Sequence, residues 1–67
     1  MMKLSDRIRK LRREQYPSQE AAARAAGVAM NTWSRWERGY AVPEVESLPK
    51  IAAALKITVS ELMAEPG

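Results

Sequence analysis

The chain has 67 residues, which is enough for one small domain. A domain of this size buries only about 60% of the surface that its unfolded chain exposes, so it does not hold two separate cores. Cysteine and histidine are both absent, which excludes disulfides, thiolate zinc sites and the side chain most often used as a general base near neutral pH. We therefore expect a single domain over residues 1–67, ordered over about 4–63, with no cofactor, no metal and no enzymatic activity.

Charge is distributed unevenly along the chain, whose formal net charge is +3. The first forty residues hold nine basic and four acidic side chains, whereas the remainder holds two basic and four acidic ones. This imbalance predicts that a polyanion, if one binds, contacts the first forty residues. A basic stripe also suits a plain solvated face, so charge alone leaves both interpretations open. No apolar run approaches the roughly 20 residues of a membrane span, and we expect a cytoplasmic protein without a membrane partner.

Apolar spacing and capping residues predict the first two helices. In the first, near residues 5–14, one narrow face carries Leu4, Ile8 and Leu11. Pro17 ends this helix, because proline lacks an amide donor and biases the preceding residue away from helical angles. Ser18 is a good N-cap for a second helix, and Gly27 is the residue type favoured just beyond a helix C-terminus.

A third helix is predicted over residues 30–38, ending at Gly39. Trp33 and Trp36 follow Met30 at spacings of three, so the three share one face. We expect the two tryptophans to pack in the core rather than to stack on bases. The rest of this helix is polar and basic.

The last two helices are predicted from their first turns. Ser47 is a candidate N-cap for the fourth, with Pro49 in the first turn, where a missing amide costs least. Its expected buried stripe consists of Leu48, Ile51, Ala52 and Leu55. Thr58 to Glu61 has the form of a capping box and opens a fifth helix through Met63, before an expected frayed end at 64–67. No strand alternation competes, so the expected fold class is all-α, with five helices.

Two short helices joined by a tight glycine turn, the second with a polar and basic outward face, have the form of a helix-turn-helix. The residues that carry the motif are Ser18-Gln19, Ala26-Gly27-Val28 and Trp36-Glu37-Arg38-Gly39. In this pattern the chain resembles the lambda repressor and Cro type of DNA-binding domain, the XRE family, from about Ile8 to Met63. The resemblance implies a compact lambda-repressor-like domain whose third helix enters the DNA major groove.

The resemblance also implies which residues meet DNA. Base edges are expected to be read by Met30, Asn31, Thr32, Ser34 and Arg35. Among these, Asn31 matches the edge of adenine and Arg35 that of guanine. Phosphates are expected to be bound by Ser18, Gln19, Arg38 and Tyr40, of which Gln19 also braces the third helix. Arg12 and Glu37 are implied to form a structural ion pair between the first and third helices.

Other interpretations stay open at three positions. Asn31 and Thr32 are also candidates for capping the third helix, because Ala29 stands where the family usually has serine or threonine. Arg35 is also compatible with a solvated surface charge. Ala22 replaces a leucine that is usual in the family, and Trp33 is expected to fill the space.

The function implied by the resemblance is a sequence-specific transcriptional regulator, a small repressor or autoregulator that binds an inverted-repeat operator on double-stranded DNA. We expect a homodimer, at least on DNA, that uses apolar residues too numerous for so small a core: Ile57, Val59 and Met63. The alternative is an antitoxin, which binds a toxin protein as well as its own operator. Under the antitoxin alternative the expected protein partner is a toxin. Under the repressor interpretation it is an inducer.

Overall fold

The computed structural model describes residues 3–64, which form five α-helices and one short 3-10 helix. The α-helices are α1 (Leu4–Gln15), α2 (Gln19–Ala26), α3 (Met30–Arg38), α4 (Leu48–Leu55) and α5 (Val59–Met63). Over this part of the chain there is no strand, and the expected all-α fold with five helices is confirmed. The expected frayed end at 64–67 lies, after Ala64, outside the described residues. No helix among residues 3–64 has the length and apolar content needed to cross a bilayer.

Local chemistry sets the ends of α2 and α3 as predicted. At the start of α2, Ser18 Oγ accepts the backbone N–H of Ala21 at 3.2 Å. Gly27 and Gly39 follow α2 and α3 with φ values of 74° and 77°, in the left-handed region that glycine adopts without steric cost. The two helices therefore stop where the glycines stand, and the turn between α2 and α3 stays tight.

The start of α4 differs from the prediction. Ser47 has helical backbone angles and makes no capping hydrogen bond, so its expected role as an N-cap is wrong. A 3-10 helix, Val45–Ser47, instead leads directly into α4. A capping side chain must leave a residue with extended angles to reach the first amides, and Ser47 does not have them. Pro49 lowers the need for a cap, since its missing amide is one donor fewer to satisfy.

At α5 the predicted capping box is present. Thr58 Oγ1 accepts the Glu61 backbone N–H, and the Glu61 carboxylate accepts the Thr58 backbone N–H, both at 3.0 Å. Each side chain satisfies an amide that has no partner within the helix. The pair therefore fixes the first turn of a helix that is too short to be stable by itself.

All five α-helices contribute to one buried cluster. Its members are Ile8, Ala22, Ala23, Ala26, Trp33, Trp36, Ile51, Ala52, Ala54, Leu55 and Leu62. Trp33 is fully buried, and Trp36 meets it edge to face with ring centroids 5.9 Å apart. The expected core role of both tryptophans is confirmed. Met30, predicted on the same face, is 46% exposed.

The end of α1 also binds the end of α4. The Gln15 side-chain amide donates to the Leu55 carbonyl, and the Tyr16 hydroxyl donates to the Ala54 carbonyl at 2.6 Å. Carbonyls in the last turn of a helix lack partners within that helix. These two side chains supply partners and hold α1 against α4, in a contact between residues about forty positions apart.

Candidate DNA-binding surface

The turn between α2 and α3 is built from backbone hydrogen bonds. Gly27 N–H donates to the Arg24 carbonyl at 3.1 Å, and Val28 N–H donates to the Ala23 carbonyl at 3.0 Å. These bonds close the last turn of α2 over the left-handed glycine. Buried alanines on α2 let α3 approach closely, and Ala22 and Trp33 are both fully buried in the shared cluster. The pair has the form of a helix-turn-helix.

The α3 helix has one buried and one exposed face. The buried face consists of Trp33, Trp36 and Glu37. Because successive residues turn by about 100° around a helix, Asn31, Arg35 and Arg38 lie on the opposite face. All three are exposed, and within residues 3–64 neither arginine forms an ion pair. This face offers an amide and two guanidinium groups, which are good donors to base edges and phosphates.

The other residues predicted to read bases lie at the two edges of that exposed face. Met30 and Ser34 lie on the edge next to Glu37, where Met30 is exposed and Ser34 half-buried. Thr32 is exposed on the opposite edge, next to Trp36. The structure thus brings all five predicted residues onto the accessible side of α3, and their contact with bases stays a prediction.

No side chain caps the first turn of α3. Ala29 occupies the N-cap position with extended angles, and no side-chain hydrogen bond reaches the first amides. Asn31 and Thr32 lie inside the helix, where a side chain does not fold back onto amides of its own turn as a cap does. The interpretation of these two residues as caps is wrong. The Asn31 amide makes no hydrogen bond within the described part of the chain, so all its donors and acceptors are available.

The predicted phosphate-binding residues lie beside the two ends of the motif. Ser18, exposed at the start of α2, uses its oxygen as a cap acceptor and keeps its hydroxyl hydrogen to donate. Arg38 and Tyr40 are exposed at the end of α3, Tyr40 at 72%. Gln19 is half-buried, and its Nε2 donates to Glu37 Oε1 at 3.2 Å. The structure therefore shows Gln19 bracing α3, while the phosphate contacts stay predictions.

One buried carboxylate connects α1, α2 and α3. The Glu37 side chain is 1% exposed and accepts two hydrogen bonds from Arg12, from Nε at 2.9 Å and from Nη2 at 3.0 Å. It also accepts the indole N–H of Trp33 and the amide of Gln19. Burial by itself raises the pKa of Glu37, but the hydrogen bonds from Arg12, Trp33 and Gln19 outweigh it and lower this pKa. The ion pair expected of Arg12 and Glu37 is present.

Three side chains donate to Glu37, and two of them were not foreseen as its partners, although the resemblance implied that Gln19 braces the third helix. Trp33 precedes Glu37 by four residues on one helix, and that spacing was a usable signal. The contact of Gln19 depends on how α2 crosses α3, for which the sequence carries no local signal. The sequence likewise carries no local signal for the burial of the Glu37 carboxylate.

The residues predicted for a dimer contact have unequal surroundings. Ile57 and Val59 are half-buried and pack against the core, whereas Met63 is 51% exposed. More apolar surface lies in the loop between α3 and α4, where Val42 is 83% and Val45 is 80% exposed. Sequence reasoning missed this loop as an apolar surface, because exposure of a loop residue depends on packing rather than on periodicity.

Comparison with known proteins identifies relatives of this helix-turn-helix. A family model described as helix-turn-helix matches residues 8–62. The transcriptional repressor RstR of a cryptic CTXphi phage in Vibrio cholerae is 34% identical over 61 residues, covering 91% of this chain and 55% of RstR. The chain thus spans about half the length of this curated relative.

Solved structures of regulators have the same fold. The P22 c2 repressor, in complex with a synthetic operator, superposes with a TM-score of 0.84 at 29% identity over 92% of this chain and 94% of that one. SinR, a master regulator for biofilm formation solved in complex with DNA, gives a TM-score of 0.84 at 32% identity over 92% of this chain and 100% of that one. SinR has also been solved in a complex with the SinI protein. These relatives are regulators and not enzymes, and the chain belongs to their helix-turn-helix family of the lambda repressor and Cro type, the XRE family.

Proposed function

We propose that the protein is a sequence-specific DNA-binding transcriptional repressor that inserts α3 into the major groove. The observation that carries this proposal is the exposed face of α3, where Asn31 is exposed and Arg35 and Arg38 have no ion-pair partner within residues 3–64. Support comes from the shared fold of the P22 c2 repressor, which was solved on an operator. Because its proposed target is DNA, the proposed location of the protein is the cytoplasm.

Base reading is assigned to α3. Asn31 and Arg35 lie one helical turn apart in the middle of the exposed face, where both reach the same groove. An asparagine amide pairs bidentately with adenine and an arginine guanidinium with guanine. Met30 is exposed enough to pack on a thymine methyl, and Thr32 and Ser34 flank the reading positions.

Phosphate contacts on both sides of α3 would fix its register. Ser18 and Gln19 lie at the start of α2, where backbone amides add positive potential. Arg38 and Tyr40 lie at the other end of the motif and are exposed. Such contacts raise affinity for all sequences alike and make it fall as salt rises.

The proposed assembly is a homodimer on an inverted repeat. One recognition helix reads only a few base pairs, and two-fold pairs of such motifs bind half-sites about 34 Å apart on one side of the duplex. Met63 is the most exposed of the three residues proposed for the contact, and Ile57 and Val59 adjoin it in sequence at the edge of the core. So small an apolar surface supports a weak pair that forms on DNA.

The named relatives favour a repressor over an antitoxin. RstR and the c2 protein are repressors, and SinR is a regulator. The SinR–SinI complex supports a protein partner, such as an inducer, as an addition to DNA binding. No observation on this chain favours a toxin as that partner.

Selection of bound sequences from a random duplex pool tests the proposal. We expect enrichment of an inverted repeat whose half-sites contain conserved adenine and guanine. An Arg35→Ala variant in the same selection should lose the preference at one position of each half-site. Flat enrichment with the unchanged protein would contradict sequence-specific binding.

A further inference from the structure

Three side chains form a continuous path from α1 to the start of α2. Arg12 donates twice to the carboxylate of Glu37, and Glu37 Oε1 accepts Nε2 of Gln19 at 3.2 Å. Arg12 and Glu37 are buried, with side chains 11% and 1% exposed. Gln19 is half-buried at the edge of the proposed DNA surface. The path thus ends on a residue proposed to bind phosphate.

The chemistry of the carboxylate fixes the orientation of the Gln19 amide. An ionised carboxylate only accepts hydrogen bonds, so the amide nitrogen and not the amide oxygen must face Glu37. The nitrogen carries two hydrogens, of which Glu37 takes one. The second hydrogen, held in the plane of the amide, is left to donate to another acceptor.

We propose that Glu37 is a positioning residue for DNA binding, which orients Gln19 so that its second amide hydrogen meets a backbone phosphate. This inference rests on the proposed function. A glutamine side chain held in one orientation before binding loses less conformational freedom when it meets its ligand. Glu37 therefore raises affinity for DNA of any sequence without touching the nucleic acid.

The charge of Arg12 makes this arrangement compatible with a polyanion. A lone carboxylate near the phosphate contact would repel DNA, and low exposure would leave that repulsion poorly screened. The bidentate guanidinium forms a locally neutral pair with the carboxylate. Glu37 thus keeps its acceptor oxygens for Gln19 while its charge is compensated.

Side-chain amide NMR on the unmodified protein provides the first test. The chain contains only three such amides, Gln15, Gln19 and Asn31, so their proton pairs are readily assigned with single alanine variants. In free protein we expect one Gln19 amide proton to exchange slowly and the other to exchange fast. A random-sequence duplex should then shift and protect the second Gln19 proton, while Gln15, bonded to the Leu55 carbonyl, stays unchanged.

The outcomes separate this inference from the proposed function. If duplex shifts the resonances of α3 but neither Gln19 amide proton, the positioning role is overturned and DNA binding stands. If two fast-exchanging Gln19 protons are seen in free protein, the contact with Glu37 does not orient the amide, and the inference fails. If duplex changes no resonance, the proposed function itself fails.

A double-mutant cycle on affinity for random duplex provides the second test. Glu37→Gln should weaken binding by about threefold or more, in the range of coupling seen for contacting residues. In a Gln19→Ala background the same change should have almost no effect. Glu20→Gln is the matched control, since it removes one negative charge from an exposed position next to Gln19 in the sequence, where the side chain is paired with Arg24 and not with Gln19. Equal losses in both backgrounds, in variants whose melting curves show them folded, would overturn the inference.

Discussion

Trp33 donates its indole N–H to the carboxylate of Glu37 one turn further along α3, and both side chains are almost completely buried. One of the two largest side chains of the core is therefore also a member of the polar network that connects α1, α2 and α3. A buried indole N–H and a buried carboxylate each need a partner, and here each satisfies the other. The inner face of α3 is fixed by packing and by hydrogen bonding at the same place.

Replacement of Trp33 tests this double role. Trp33→Ala should reduce the free energy of unfolding by about 3–5 kcal/mol, because the alanines of α2 are too small to refill the space. Trp33→Phe keeps most of the volume and loses the hydrogen bond, so it should cost clearly less. Urea unfolding followed by circular dichroism measures both variants. An alanine variant that unfolds like the parent but no longer binds DNA would make Trp33 a surface contact instead.

The pH dependence of stability follows from Glu37. Its lowered pKa means that the folded state favours the ionised form, so this group contributes stability above its unfolded pKa. That stability is lost as pH falls through the lower folded pKa. In Arg12→Met the main donor is gone, and we expect burial, the largest single influence on this pKa, to outweigh the remaining hydrogen bonds from Trp33 and Gln19 and to raise the pKa of Glu37, so that the pH dependence changes sign.

For Arg12→Met we expect a loss of about 3–5 kcal/mol at neutral pH, as for a buried pair with one partner removed. The variant should recover stability as pH falls through the raised pKa of Glu37, whereas the parent loses stability on acidification. Thermal melts of both proteins between pH 3 and 7 measure this difference. Arg9→Met is the control, because Arg9 forms an exposed ion pair with Asp6. Parallel pH profiles for parent and Arg12→Met would contradict the role of the pair.

Local chemistry explains which parts of the fold were predictable from the sequence. Ser18, Gly27 and the capping box at Thr58 act within a few residues of themselves, so the sequence predicts the helix ends that they set. Ser47 has the same residue type as Ser18 but is the last residue of a 3-10 helix, whose backbone angles remove its capping geometry. The Ser47 N–H donates to the Glu44 carbonyl at 2.9 Å and closes this 3-10 turn, which the residue type of Ser47 does not reveal.

In the candidate site, too, the sequence predicts some features and not others. The outward face of α3 follows from helical periodicity once Trp33 and Trp36 are assigned to the core. Family resemblance implied the Arg12–Glu37 pair, which joins residues on different helices. The contact of Gln19 with Glu37 needs the crossing of α2 over α3 and was found only in the structure.

Arg35 is expected to determine sequence preference rather than general affinity. Arg35→Ala should weaken binding to the best site by about 1–3 kcal/mol and relax the preference at one base position, as for loss of a bidentate guanine contact. Fluorescence anisotropy with the selected operator and with random duplex measures the two affinities at one salt concentration. Equal losses on both duplexes would assign Arg35 to phosphate instead.

Lys56 follows α4 with a φ of 60°, the one left-handed angle at a residue other than glycine among residues 3–64. This conformation costs a residue with a side chain roughly 1–2 kcal/mol, and glycine avoids that cost. Glycine is also more flexible in the unfolded chain, which offsets part of the gain in stability. Lys56→Gly should therefore raise the free energy of unfolding by about 0.5–1 kcal/mol. Ala53→Gly, at an exposed position inside α4, should lower it by a similar amount. A destabilised Lys56→Gly variant would show that the lysine side chain outweighs its backbone strain.

The proposed function predicts that two chains assemble on the operator. Two copies on an inverted repeat need a contact between them, and the exposed apolar side chains offer two places for it: Met63 on α5, and Val42 and Val45 in the loop after α3. We expect sedimentation to show mainly monomer at low micromolar concentration, with two chains bound to the full operator and far weaker binding to a half-site duplex. Met63→Lys should abolish cooperative binding while leaving half-site affinity almost unchanged, and Val45→Lys serves as the matched control. Loss of cooperativity with Val45→Lys alone would move the contact to the loop, and a 1:1 complex of full affinity on one half-site would make the protein a monomeric binder.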